Sequence, residues 1–106
     1  MPSNYAMIRN AVLNKRQVFA TYRGYPREMC PHVIGAGKDG VAMCLFYQFG
    51  GDSDHGLGPP DSPQNWRCMP VENLRDVREC DGTWHTASNH SRRQTCVARV
   101  DVEVTY

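Results

Sequence analysis

One stretch of the chain gathers most of the side chains that could do chemistry. Gln17 to Ile34 reads Gln-Val-Phe-Ala-Thr-Tyr-Arg-Gly-Tyr-Pro-Arg-Glu-Met-Cys-Pro-His-Val-Ile and carries Tyr22, Arg23, Tyr25, Arg27 and His32. Guanidinium groups are planar, forked donors suited to phosphate or carboxylate, and Arg67 adds another further along. Tyr22, Tyr25 and Trp66 offer ring faces on which a base could stack. His32 can donate or accept, and its charge can change near neutral pH when an anion binds. Gln48, just before a long loop, completes the candidate set. Taken singly, each has an ordinary structural reading as a core aromatic or a solvated arginine. Their convergence on one hairpin is what points to a ligand site.

Catalysis finds less support. Cys30 and His32 are two apart and face the same way along a strand, the minimum for a thiol and a base. No paired-carboxylate motif, phosphate loop or zinc-protease helix accompanies them. The five cysteines, Cys30, Cys44, Cys68, Cys80 and Cys96, are spread without a paired spacing. They read as free thiols, largely buried in strands, with Cys80 beside a turn as the exception. Cys30, His32, His85, His90 and Cys96 lack the close Cys-x-x-Cys pair of a structural zinc site, so neither metal nor cofactor is expected. Asp52, Asp54 and Asp61 fit no calcium loop.

The elements that must hold these residues follow from periodicity. Ser3 or Asn4 can cap a helix to about Arg16, with Tyr5, Ile8, Ala11 and Val12 on one side and Lys15 and Arg16 in its last turn. The hairpin turns at Gly24, and Val18, Ala20 and Tyr22 share one face of its first strand. Pro31 marks a bulge or an edge in the second. Gly35, Gly37 and Gly40 surround a turn at Lys38-Asp39, and Val41 to Phe49 is apolar enough for a strand covered on both faces. Gly50 to Pro63 reads as a loop. Trp66 to Met69 forms a strand, Val71, Leu74 and Val77 suggest one helical turn, and a short strand ends at Cys80. Residues 86 to 95 are a polar connector into a final strand whose Ala98, Val100, Val102 and Val104 face seeks burial, expected within its own barrel rather than on a second copy. One helix and several short strands describe a mainly β protein, a small, partly open β-barrel with a helical lid.

A chain of 106 residues suits one domain. A net charge of +1 leaves room for a local basic patch and not for a duplex-binding surface built on phosphate contacts. No apolar run is long enough to span a bilayer, and the start, Met-Pro-Ser-Asn-Tyr-Ala, lacks the pattern of a secretory leader, so a cytoplasmic location is expected.

The order Tyr22-Arg23-Gly24, Arg27, Pro31-His32, Gly40, then Trp66-Arg67 with Met69-Pro70-Val71 and Leu74 resembles the WYL domain, a bacterial family named for a Trp-Tyr-Leu triplet. The resemblance covers roughly residues 5 to 80. The triplet itself is absent, since the strand after Gly40 reads Val-Ala-Met-Cys-Leu, and no helix-turn-helix stands ahead of the domain. The resemblance implies an Sm-like or SH3-like barrel acting as a ligand sensor or accessory module, with a nucleotide or single-stranded nucleic acid as its ligand. A regulatory protein partner, and a protein-interaction or oligomerisation module acting as monomer or homodimer, is the alternative. A Cys/His-dependent enzyme comes last.

Overall fold

The computed structural model describes residues 3–53, 56–59, 62–87 and 96–104. Ser3 accepts a hydrogen bond from the Ala6 N–H and starts helix α1 (Asn4–Asn14). The helix stops short of the expected Arg16 because Lys15 turns left-handed, φ +50°, to send the chain back into the first strand. Arg16 instead pairs with Glu79 and Asp81.

Among the described residues six strands follow: β1 (Gln17–Tyr22), β2 (Tyr25–Ala36), β3 (Ala42–Gly51), β4 (Trp66–Pro70), β5 (Arg75–Cys80) and β6 (Arg99–Glu103). They form one antiparallel sheet in the order β4-β3-β2-β1-β5, and β6 pairs with β2 beyond the end of β1. β4 and β5 are joined by a short 3-10 turn, Val71–Asn73, and do not pair, so the expected barrel is partly open. Val77 lies in β5 rather than in that turn. No helix among the described residues is long and apolar enough to cross a membrane.

Strand alternation builds the core. Val18 and Ala20 of β1, Met29 and Ile34 of β2 and Phe46 of β3 meet Ile8, Ala11 and Val12 of α1 in one apolar cluster. The opposite face of β2 and β3 is covered too, for Cys30, His32, Val33 and Tyr47 are buried outside that cluster. β2 carries its irregularity where Pro31 suggested it: Pro31 pairs with Phe46 and Val33 with Leu45, leaving His32 as an extra residue.

The C-terminal strand pairs within the chain, and the Val104 N–H donates to the His32 carbonyl at 2.9 Å. Its apolar face is less uniform than its sequence. Ile34 pairs with Val102 and Gly35 with Val100, so Asp101 is an extra residue and the two valines fall on opposite faces. Val104 is buried and Val102 packs on the core, whereas Val100 and Ala98 are exposed. Gly35 belongs to β2 and not to the turn. A Cβ there would collide with the Arg99 carbonyl, so only glycine lets the strand pass. Asp101 accepts from Tyr5 Oη at 2.7 Å and Arg9 Nε at 3.0 Å, tying β6 to α1.

Candidate anion-binding site

The β1–β2 hairpin places its own arginines. Arg23 and Gly24 form the turn, both at positive φ, 54° and 81°, as the twist of a two-residue hairpin demands. An L-residue held left-handed costs about 1 kcal/mol, which asparagine or glycine would largely avoid. Arg27 lies opposite Ala20 and shares the inward face with Met29, so alternation draws it into the mouth of the barrel and leaves it 4% exposed. Its Nη1 donates to Gln48 Oε1 and its Nη2 to the Tyr22 carbonyl, each at 3.3 Å. The rings of Tyr22 and Tyr25 stand 5.1 and 5.7 Å from its guanidinium carbon, within cation–π range. Gln48 is buried and donates to the Gly50 and Asp52 carbonyls, so it orients Arg27 and pins the following turn together.

Arg67 comes from β4 and is half-buried. It donates to the carbonyls of Gln64, Trp66 and Gly56, fastening the loop ahead of its strand. Tyr22, Arg23, Arg27 and Arg67 line one concavity of about 230 Å³ with Ser53, Cys68 and Met69. A neighbouring hollow of about 410 Å³, lined by Gly56, Leu57, Gly58 and Gln64, shares Arg67.

His32 is not on this surface. It is fully buried, so the convergence expected of the candidate residues does not extend to it. The reason is the extra residue in β2, which turns the imidazole against Trp66, Trp84 and Tyr47 at centroid distances of 4.7, 4.8 and 6.5 Å. The Cys30 carbonyl can only accept, so His32 Nδ1 carries the proton of that 2.8 Å bond and Nε2 faces the Thr86 hydroxyl at 3.1 Å. Trp66 belongs to the same cage, edge-on to both His32 and Tyr47.

Comparison of the chain with protein-family models, curated proteins and solved structures finds no match.

The pairing of Cys30 with His32 is likewise not a thiol–base contact. The imidazole meets the cysteine's carbonyl, while the sulfur accepts from the His85 N–H at 3.3 Å. Burial pushes the Cys30 thiol up to about 11, the wrong direction for a nucleophile at neutral pH. Burial also raises Cys44 well above its ordinary value.

Cys68 and Cys96 are a correction of another kind. They are joined as a disulfide with Cα atoms 6.2 Å apart, and Cys68 is exposed on β4 rather than a buried free thiol. Cys30 and Cys44 are free and buried, and Cys80 is free and half-buried. Sequence reasoning also passed over Ser53, Cys68 and Met69 as neighbours of the arginines. Only the short step from Trp66 and Arg67 to Cys68 and Met69 could have signalled two of them. The supposed loop is partly ordered, since Asn65 accepts from the Gly58 N–H, donates to the Pro59 carbonyl and is buried. Asp54, Asp61 and His90 lie outside the described residues.

Proposed function

We propose that this protein is a ligand-binding accessory module that takes the phosphate of a nucleotide or of a short single-stranded nucleic acid at the arginine concavity. One observation carries the reading: guanidinium groups from the hairpin turn, β2 and β4 converge with Tyr22 on a single hollow. The left-handed turn supports it, because it sets Arg23 at the edge of that hollow. Size decides what enters. At about 230 Å³ the hollow falls below the roughly 300 Å³ where small-molecule pockets begin, so it suits the phosphate alone. Sugar and base then extend over Tyr22 and Tyr25 or into the hollow that shares Arg67. The resemblance to the WYL family supports the same ligand class.

A thermal-shift screen against mononucleotides, the matching nucleosides and short single-stranded oligonucleotides tests this. Phosphate-bearing ligands should raise Tm, nucleosides should not, and the shift should shrink with salt. Absence of any shift with every nucleotide and oligonucleotide would remove the reading. A second reading, a protein-interaction or oligomerisation module, is supported by exposed Leu13 and the groove it lines with Val12, Lys15, Glu103 and Val104. Concentration-dependent sedimentation abolished by Leu13→Glu, with no nucleotide response, would favour it.

A further inference from the structure

The sheet has a second open surface, on the side away from α1 and the core. One transverse row crosses it: Arg78 of β5 pairs with Phe19 of β1, Phe19 with Glu28 of β2, and Glu28 with Gly50 of β3. Cross-strand partners point to one face, and Phe19 alternates with the core residues Val18 and Ala20, so the row faces outward. A Cβ at Gly50 would come within 2.9 Å of Glu28 Oε2, so the glycine leaves room for that carboxylate. Phe49, the extra residue of β3 beside Gly50, brings its ring to 6.4 Å from Phe19 and stacks on His85 at 4.2 Å. Beyond this stack Trp84, His85 and Thr86 close over Cys30 and His32, whereas Phe19, Glu28 and Phe49 are only half-buried and Arg78 is exposed.

A bulge adds a second cation. Thr21 pairs with Arg75, so β5 sets two residues, Asp76 at φ +53° and Val77, against Ala20 alone. Residues three apart on a regular strand face opposite ways, but here Arg75 and Arg78 share the outer face. Among the described residues Glu28, Arg75 and Arg78 form no ion pair and no side-chain hydrogen bond. An aromatic ring is therefore flanked by a carboxylate and a guanidinium that are both unspent.

We propose that this face is a guanine-nucleotide site, separate from the arginine concavity. Guanine presents two adjacent donors, N1–H and the N2 amino group, which one carboxylate can accept together, and its O6 and N7 form the acceptor edge that a guanidinium reads bidentately. With the base stacked on Phe19, Glu28 takes the donor edge and Arg78 the acceptor edge, from strands about 10 Å apart across β1. Arg75, at the next outward position of β5, takes the phosphate, which makes the nucleotide rather than the nucleoside the ligand. Adenine has an acceptor at N1 and a donor at N6, the reverse of guanine at both positions. The site does not rest on the phosphate reading of the concavity.

Amide NMR titration of the full chain reads the two surfaces separately. At Phe19, Glu28 and Arg78, GMP should bind roughly tenfold more tightly than AMP, with IMP between them because it lacks the N2 donor. Glu28→Gln keeps the side-chain shape and should bring GMP close to AMP with the ligand-free Tm unchanged. A guanine within a strand offers the same edges, so oligo-dT with one central guanine is compared with plain oligo-dT. A response of the outer face to the guanine extends the site to single strands, and a response to GMP alone confines it to the free nucleotide. Equal affinities for GMP and AMP at the outer face of the unaltered chain, or a GMP preference kept in Glu28→Gln, would overturn the proposal. Amides of Arg23 and Arg67 that answer to GMP, AMP and oligo-dT alike, beside an outer face without preference, sink the guanine site alone. A GMP preference at the outer face with Arg23 and Arg67 silent to every ligand sinks the phosphate reading alone.

Discussion

At the hairpin end of β2, Arg27 looks into a solvent-open hollow and is steadied by Gln48, Tyr22 and Tyr25. Further along the same strand, His32 is closed off by Trp66, Trp84 and Tyr47 and spends both ring nitrogens on Cys30 and Thr86. Both residues are buried, polar and hydrogen-bonded. What separates them is whether an open volume adjoins them. A guanidinium that lines an open hollow can meet a visitor, whereas an imidazole inside an aromatic cage fixes the packing of the strand. Burial of a polar residue therefore marks a site only where an open volume adjoins it.

Truncating each residue should separate the two roles. His32→Ala removes a ring packed on two indoles together with two hydrogen bonds, and should destabilise the protein by about 3 to 5 kcal/mol in urea unfolding. Oligonucleotide affinity of the folded fraction should stay the same. A loss of affinity comparable to that of an arginine variant would erase the distinction between the regions. Arg27→Ala should weaken oligonucleotide binding by roughly 1.5 to 3 kcal/mol in a titration, through loss of a charge-assisted bond. It should also lower stability, because Gln48 loses its partner. Unchanged affinity would remove Arg27 from the site.

How far the sequence could be read depended on whether a residue answered to its own strand or to a distant one. The helix cap at Ser3, the hairpin at Gly24, the central strand β3 and the turn between β4 and β5 are set by local chemistry and period, and they emerge as expected. Arg23, Arg27 and Arg67 were legible as a set because the hairpin and β4 carry them to one end of the barrel. His32 was misplaced because alternation alone does not reveal an extra residue in a strand, although Pro31, lacking an N–H, hinted at it. The same blindness applies at Asp101, where a shift in register sends Val100 outward. The Cys68–Cys96 bond was invisible for another reason. Its sequence separation of 28 carries no signature, and only the approach of the chain ahead of β6 to β4 brings the sulfurs together.

Arg23 tests the concavity from the side of strain. Arg23→Asn replaces a residue held left-handed with one that tolerates it, so stability should stay level or rise by about 0.5 to 1 kcal/mol. Oligonucleotide affinity should fall by about 1 kcal/mol as one exposed charge is lost. A variant weaker in both respects would mean that the side chain serves the turn rather than a ligand.

The smallest effect separates the regions by pH. Guanidinium groups keep their charge throughout, so affinity for a phosphodiester oligonucleotide, whose own charge is constant, should be flat between about pH 5 and 8. A step in that range would bring a histidine back into the site. The cage should answer to base instead. Cys30 sits at about 11 in the folded protein against an ordinary value of 9.0, because burial disfavours its thiolate. The folded state therefore holds a proton that the unfolded chain gives up between those values. Stability from this group is complete below about pH 9 and is lost as pH rises towards about 11. Cys44 adds to the same decline, since its thiol is also raised by burial. Tm measured from pH 8 to 11 should fall, and Cys30→Ala should flatten part of that fall whatever it does to stability at neutral pH. An identical slope in the variant would show that Cys30 titrates alike folded and unfolded, and that the cage is open to water.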